Sequence, residues 1–410
     1  MFFSVAGTLL GWLMFLWILH RWWKKHIPWT SFFLLMVAAL LRLVLGMAYG
    51  YIYLKYYHGD DTWYYNSVIS EEYQKLLHQP WQFLVDPNPI TAFARYSGFR
   101  ENWYYYLVDL ENWLLTKPLA FVQPITQGNY YLNIVFYNCW TIWGSLLLLQ
   151  WIGNQFPHYR KQAFLWLFFF PPLLFWWSGI RSDGLLVLFS ALLLASMSEW
   201  LNGRGKLRWG TILVALLGIG ILRNAVLFVW LPALVSWFVE GRLKTGRLQS
   251  ILVVYGAGII LFFASEWLNP SLSLPRMVAN RQQEFLQLKG QTRLALDTLK
   301  PDPFSFLTTT PQALQNTFLR PFLWEAKGPL QLLTSLEMTL LLLLIIRFAW
   351  QRFRHPQRIT SPPELFYPMI FGLCLFLFIG LTIPFPGAIV RYKALGEVFL
   401  FIYITQRKTG

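Results

Sequence analysis

Residues 32–54, FFLLMVAALLRLVLGMAYGYIYL, form an apolar run interrupted by a single charged residue, Arg42. A helix of about 20 mostly apolar residues is long enough to cross a lipid bilayer. The run therefore predicts a membrane-spanning helix, and similar runs recur along the chain. We count about eleven spans, and the range for this number is about nine to thirteen. They are residues 2–20, 32–54, 131–152, 164–178, 185–201, 210–222, 226–240, 249–267, 330–347, 366–384 and 394–405.

The composition supports the same class. Of 410 residues, 56% are hydrophobic and 13% are charged, whereas soluble domains carry about 25% charged residues. A soluble fold of this composition would expose too much apolar surface, which excludes an ordinary cytosolic enzyme, a disordered chain and a disulfide-rich secreted domain. Cys139 and Cys374 fall in apolar segments and predict no disulfide. We predict an all-α polytopic membrane protein with a single transmembrane domain, residues 1–410.

The net charge of +15 is explained by topology. Lys and Arg crowd into the short segments between alternate spans, and cytoplasmic loops collect these residues. Examples are Arg21, Lys24, Lys25, Arg204, Lys206, Arg358, Arg407 and Lys408. We therefore predict an N-terminus outside, a cytoplasmic C-terminus and no nucleic-acid partner.

This topology places two long loops, residues 55–130 and 269–328, on the outer face. In residues 73–84 and 103–114, apolar side chains recur at steps of three and four, which predicts amphipathic helices. Their Trp and Tyr residues favour the membrane surface, and packing on the rest of the outer face is the equal alternative. Residues 276–300 predict a more polar helix or lid.

Two adjacent carboxylates, Asp60 and Asp61, follow the second span directly. Such a pair at the outer end of a span can bind a divalent cation or accept a proton from a hydroxyl group. The alternative is a helix-capping turn, because Asp is favoured at helix N-termini. Arg42 and Glu337 lie within spans, and we expect them to form a mutual ion pair that ties two helices together; a functional role is the alternative, because charges inside a membrane are costly.

Basic residues also occur at the outer ends of several spans, on the face that topology does not enrich in them. They are Arg181, Arg223, Arg320, Arg391 and Lys393. Singly, each is explained by a side chain that reaches the lipid headgroups. Together they favour a phosphate ligand, because arginines bind phosphate in a bidentate manner. For Arg181 and Asp183, in WWSGIRSDG at residues 176–184, a local ion pair is the alternative to a ligand site.

These short motifs resemble those of the C-type glycosyltransferases, polytopic enzymes of the GT-C fold that use lipid-phosphate-linked sugars. Gly59-Asp60-Asp61, followed by Tyr64-Tyr65, is similar to the acidic motif of their first outer loop. Stretches found in poorly characterised bacterial members resemble Pro171-Pro172 with residues 176–184, Arg320–Glu325, and Arg391-Tyr392-Lys393.

The resemblance implies a polyprenyl-phosphate sugar donor and a glycan, lipid or protein acceptor, at the outer face of a bacterial inner membrane. Asp60 or Asp61 would activate the acceptor hydroxyl and would be the ligands of a divalent cation, if one is used. The basic residues would hold the lipid phosphate, with Asp183, Trp324, Glu325 and Tyr392 in support. The alternatives are a surface-polysaccharide polymerase and a non-catalytic transporter or structural subunit.

Overall fold

The computed structural model of the chain describes residues 2–95, 98–203, 208–268, 272–288, 292–354 and 361–405. The regular secondary structure in these ranges is helical, and no strand occurs in them. The predicted all-α class is confirmed. Some basic residues used for the topology lie outside the described residues, namely Arg204, Lys206, Arg358, Arg407 and Lys408.

The helices range from single turns to membrane-spanning lengths. In chain order, the α-helices of the described residues are α1 (Phe2–His26), α2 (Phe32–Tyr57), α3 (Asp61–His78), α4 (Pro80–Val85), α5 (Pro89–Ala92), α6 (Phe99–Ala120), α7 (Gln123–Thr126), α8 (Tyr130–Gln155), α9 (Arg160–Phe169), α10 (Pro171–Ser178), α11 (Ser182–Leu201), α12 (Trp209–Leu222), α13 (Asn224–Leu243), α14 (Arg247–Leu268), α15 (Leu274–Gln287), α16 (Pro303–Phe318), α17 (Pro329–Arg354), α18 (Pro363–Thr382) and α19 (Pro386–Ile404). Short 3₁₀ turns cover Pro157–Tyr159 and Leu323–Glu325.

Within the described residues, 8 helices are long and apolar enough to cross a membrane, with mean hydropathies from 1.4 to 2.2. They are α1, α2, α8, α11, α13, α14, α17 and α18. Each overlaps one of the predicted spans. Their number and length indicate an integral membrane protein with several spans.

The other three predicted spans take different forms, so the count of eleven is not confirmed. Residues 164–178 are split between α9 and α10, because Pro171 cannot continue the helical hydrogen bonding and starts a new helix. Residues 210–222 fall in α12, which has only 14 residues. Residues 394–405 fall largely in α19, which also contains Arg391, Lys393 and Glu397.

The internal contacts divide the chain into two compact units. Unit 1 comprises Met1–Met197 and Leu207–Asn224, and unit 2 comprises Ser198–Lys206 and Ala225–Gly410. Both contain buried apolar side chains.

In unit 1, α8 contacts α1, α2 and α9. Gly144 of α8 also lies against α11, where a Cβ atom would come within 2.6 Å of the backbone nitrogen of Leu188. Small residues permit such close approach between helices in membranes.

In unit 2, α18 packs against both α16 and α19. A Cβ on Gly380 of α18 would lie 2.2 Å from the carbonyl oxygen of Ala313 in α16. Trp230 of α13 stacks on Phe371 of α18, with ring centroids 3.7 Å apart. Glycine contacts and aromatic stacking therefore both hold α18 in place.

Residues 55–130, predicted as the first long loop, contain α3 to α7. The predicted helix over residues 73–84 is broken, because α3 ends at His78 and Pro80 begins α4. The predicted helix over residues 103–114 is present within α6.

Residues 269–328, predicted as the second long loop, contain α15 and α16, and residues 269–271 and 289–291 lie outside the described residues. The helix predicted over 276–300 ends earlier, at Gln287. A buried side chain of α15, Gln282, donates to the carbonyls of Asp297 and Leu381 and accepts from the backbone N–H of Leu299. These hydrogen bonds hold the irregular segment that follows α15 in place within unit 2.

Candidate functional site

The turn after α2 sets the positions of the two adjacent aspartates. α2 ends at Tyr57, and His58 and Gly59 follow with φ values of 55° and 96°. Glycine adopts this left-handed conformation readily. Asp60 then caps α3, and its carboxylate accepts a hydrogen bond from the backbone N–H of Asp61 at 2.7 Å. The capping turn that was the alternative for these residues is therefore present.

Side chains of the first turn of α3 fix this helix to the rest of unit 1. The indole nitrogen of Trp63 donates to the carbonyl oxygen of Gly50 at 3.0 Å. The Trp63 ring also stacks on Tyr130, with centroids 4.2 Å apart, and the hydroxyls of Thr62 and Tyr130 are hydrogen-bonded at 2.8 Å. The start of α3, and with it the aspartate pair, is held rigidly.

The segment between α10 and α11 carries Arg181, and polar side chains from two spanning helices hold its backbone. Backbone groups at membrane depth need such partners, because lipid offers none. The bonds run from Arg42 Nη2 to the Trp177 carbonyl (2.8 Å), from Asn138 Nδ2 to the Ser178 carbonyl (2.9 Å) and from Tyr137 Oη to the Arg181 carbonyl.

The prediction that Arg42 and Glu337 form an ion pair is wrong. Arg42 is surrounded by neutral acceptors, including Asn138 Oδ1 at 2.8 Å and Thr141 Oγ1 at 3.0 Å. Glu337 instead pairs with Lys393, at 3.1 Å. The sequence prediction assumed that a buried charge needs an opposite charge, whereas several aligned dipoles serve Arg42 equally well.

Arg181 is the centre of the candidate site. Its Nη2 donates to Asp60 Oδ2, and its Nη1 lies 3.2 Å from Asp61 Oδ2. The guanidinium also lies over the rings of Tyr49 and Tyr53, at 5.8 and 5.7 Å from their centroids. The side chain is only 2% exposed, yet its Nε and Nη1 donate no hydrogen bond. Buried donors without an acceptor are rare in proteins.

A second ion pair lies beside the first. Asp183, in the first turn of α11, is 3.7 Å from Arg223, which follows α12. Asp183 also interacts electrostatically with Arg181 and Asp61. Unit 1 therefore brings together both predicted aspartates and two of the five predicted basic residues.

The structure adds a residue that the sequence prediction missed, Glu111 of α6. Its carboxylate lies 3.4 Å from the hydroxyl of Tyr65 and interacts with Arg223 and Ser182. One signal could have identified it. Glu111 lies four residues after Leu107 and three before Leu114, and therefore on the apolar face of the predicted amphipathic helix.

Burial and charge shift the proton affinities of this cluster. Burial raises the pKa of Glu111 above its ordinary value, although Arg223 acts against this shift. Burial also raises the pKa of Tyr65, with a further contribution from Glu111. Burial alone would lower the pKa of Arg181, but the nearby Tyr49 and Asp60, with the other acids, raise it. Arg181 therefore stays charged, and Glu111 holds its proton to a higher pH than a free glutamate.

The other predicted residues belong to unit 2. Arg320 binds Glu325 through two hydrogen bonds, of 2.5 and 3.2 Å, and this pairing lowers the pKa of Glu325. Trp324 is exposed and stacks on Phe322. The guanidinium of Arg391 lies 5.1 Å from the ring centroid of Tyr392.

Lys393 is enclosed rather than open to a ligand at the membrane surface. Its side chain is 0% exposed and pairs with Glu337 and Glu397. The sequence prediction placed Lys393 in an outer turn, whereas α19 begins at Pro386 and carries it into the helix interior.

Within the described residues, no group of three or more His, Cys, Asp or Glu side chains is placed to hold a metal ion. No protein-family model matches the chain, and neither a curated protein nor a solved structure is detectably similar to it.

Proposed function

We propose that the cluster around Arg181 is the catalytic site of a glycosyltransferase that uses a polyprenyl-phosphate sugar as donor. The observation that carries this proposal is the pairing of buried Arg181 with Asp60 and Asp61. It combines a phosphate-binding group and two proton acceptors in one place. The motif resemblance to C-type glycosyltransferases points to the same residues.

The hydrogen-bonding capacity of Arg181 supports a phosphate ligand. Its Nε donates no hydrogen bond, and an unpaired buried donor costs about 1–3 kcal/mol. A phosphate oxygen would accept from this Nε–H in a charge-assisted hydrogen bond. Arg223, held by Asp183, would supply the second positive charge. Glu111 in its protonated form would limit the negative charge that the phosphate meets.

The two aspartates would have different roles. Asp60 is the cap of α3 and binds Arg181 directly, so it would position the guanidinium. The side chain of Asp61 is 62% exposed and would accept the proton of the acceptor hydroxyl. The hydroxyl oxygen would form a bond to the anomeric carbon, and the bond from that carbon to the phosphate oxygen would break. The configuration would invert, and Arg181 would stabilise the leaving phosphate.

The acceptor would be a glycan, a lipid or a protein that reaches the exposed side of Asp61. We propose the outer face of a bacterial inner membrane as the location, with the N-terminus outside and the C-terminus in the cytoplasm, because the basic loops are then cytoplasmic. Arg320 and Arg391 remain candidates for a lipid-facing role in unit 2. Lys393 takes no part in this proposal, because it is enclosed by carboxyl groups.

The direct test is binding of polyprenyl phosphate to the purified full chain in lipid nanodiscs. We expect Arg181→Lys to weaken binding by about tenfold or more, because lysine keeps the charge but loses the planar fork. The matched control is Arg95→Lys, which alters another arginine–aspartate pair of unit 1, with Asp109. Neutral polyprenol should not compete. Equal binding by the two variants, or no binding by the wild type, would overturn the donor site.

A further inference from the structure

A group of ionisable side chains in unit 2 has no role in the proposed transferase. The ammonium of Lys393 lies 3.1 Å from Glu337 Oε1 and 3.5 Å from Glu397 Oε1. Met338 and Phe376 complete its surroundings, with the sulfur at 3.2 Å and the ring centroid at 5.3 Å. These three ionisable residues, called here the buried triad, come from α17 and α19.

The buried triad is isolated from water and from other charges. The side-chain exposures of Lys393, Glu337 and Glu397 are 0%, 2% and 0%. Of the helices that contact α19, α16 contains no charged residue and α18 contains only Glu364, which is bound by Asn202. The charged residues of α13 and α15 have partners elsewhere: Glu240 pairs with Arg247, Arg242 donates to the Trp200 carbonyl, Arg276 pairs with Glu266 and Arg281 pairs with Glu284.

The remaining charged groups of these helices are distant or point elsewhere. In α17, the nearest other charge along the helix is Arg347, about 15 Å from Glu337 at 1.5 Å per residue. In α19, the other charged side chain is Arg391, which lies over Tyr392. The titratable neutral groups of α18 and α19 are Tyr367, bonded to Glu240, Cys374, bonded to Tyr255, Tyr392, which lies under Arg391, and Tyr403, packed on Phe348.

The charges of the buried triad do not balance unless a proton is present. Two carboxylates and one ammonium leave one negative charge in an apolar interior, which is strongly unfavourable. Glu337 Oε1 and Glu397 Oε2 are both buried, and neither accepts a hydrogen bond. A proton on one carboxyl group removes the excess negative charge and leaves a single carboxylate to pair with Lys393.

We propose that Glu337, Lys393 and Glu397 form a binding site for one proton, which the two carboxyl groups share. The proton comes from water, no covalent bond other than O–H forms, and the net charge of the triad changes from −1 to zero. The site is independent of the proposed glycosyl transfer. Ionisable groups in this position are the usual elements of intramembrane proton pathways.

The test is infrared spectroscopy of the purified full chain at neutral pH, which detects the C=O stretch of a protonated carboxyl group. We expect Glu337→Gln and Glu397→Gln each to remove one protonated-carboxyl band, because the remaining glutamate then pairs with Lys393 as an ion. We expect Lys393→Met to enlarge the band, since both glutamates then stay protonated. The control is Glu111→Gln, which leaves the triad band in place.

Three outcomes would overturn the proposal. The first is a wild-type spectrum whose triad band is absent. The second is a band that survives both glutamine substitutions. The third is a sodium or potassium ion that binds the wild type, displaces the band and fails to bind Glu397→Gln, which would make the triad a metal-cation site. The two glutamine variants retain an ion pair in the core, so they decide the question even if Lys393→Met does not fold.

Discussion

Asp60 and Asp61 are adjacent in sequence but differ in surroundings. Asp60 caps α3 and accepts a hydrogen bond from buried Arg181, whereas most of the Asp61 side chain faces solvent. Substitution by asparagine separates these roles, because asparagine is also a good N-cap. The change therefore removes the charge and keeps the helix start.

We expect Asp60→Asn to lower the free energy of unfolding by about 3 kcal/mol, because it removes a main partner of a buried charge. Asp61→Asn should lower it by less than about 1 kcal/mol, as for exposed ion pairs.

Asp61→Asn should nevertheless abolish release of polyprenyl phosphate from a polyprenyl-phosphate hexose while binding persists. Thermal unfolding in detergent measures the first effect, and chromatographic detection of released polyprenyl phosphate measures the second. Equal activity of Asp61→Asn and the wild type would exclude Asp61 as the base.

The raised pKa of Glu111 gives a second prediction. A carboxyl group whose pKa is higher in the folded state destabilises the fold when it is ionised, and this penalty disappears as the pH falls through the folded-state pKa. Glu111→Gln should therefore be more stable than the wild type above the folded-state pKa of Glu111, and the difference should shrink on acidification and vanish below the ordinary pKa of a glutamate. Melting temperatures across this range test it. A difference that grows on acidification would contradict the raised pKa.

At the scale of single residues, the sequence motifs identified residues that lie together in unit 1. They did not predict which side chains are buried. Asp60, Asp61 and Arg181 were predicted to act together, and they lie in contact. Lys393 was predicted from the same kind of motif and is enclosed instead. A short motif shows which residue types are present, but the face of a helix that is buried depends on its neighbours.

At the scale of elements, glycines mark where helices meet. Gly144→Ala should place a Cβ 2.6 Å from the backbone of Leu188, and backbone cannot move aside as a flexible side chain can. We expect a loss of about 1–3 kcal/mol in unfolding free energy. Gly256→Ala in α14 is the matched control, because nothing lies within 4 Å of the Cβ position. If both variants melt like the wild type, the close contact of α8 with α11 is absent in solution.

Element boundaries followed from local chemistry where a strong signal was present. The cap at Asp60, which the residue type offered as the alternative to a ligand site, is present. The break at Pro80 was overlooked because the spacing of apolar residues continued across it. Periodicity reports which face is apolar, and it is insensitive to a bend between two short helices that share that face.

At the scale of the whole molecule, the proposed orientation can be tested by labelling. Gln79 and Lys25 are both exposed, and the positive-inside rule places them on opposite sides of the membrane. In a background of Cys139→Ser and Cys374→Ser, Gln79→Cys should react with an impermeant maleimide in intact cells. Lys25→Cys should react only after permeabilisation. The reverse pattern would place the Arg181 cluster on the cytoplasmic face.

The overall class was predictable, and the span count was less so. Hydropathy is a property of long segments and identifies α1, α2 and α14 directly. It cannot decide whether a short or charged segment such as α12 or α19 crosses the membrane, because partners elsewhere in the chain can shield its polar groups. The buried triad of α17 and α19 is an example of such shielding.

The hydrogen bonds of Arg42 have a consequence for how the chain enters the membrane during synthesis. Its partner Asn138 lies 96 residues later in the chain, so α2 emerges from the ribosome before any of its acceptors in α8 exist. An arginine at the centre of an isolated helix opposes insertion by about 2.5–3.5 kcal/mol. We therefore expect α2 to insert stably only after α8 has been made. We expect the α2 helix of Arg42→Leu to insert earlier, and the segment that carries Arg181 to lose its hydrogen bond from Arg42.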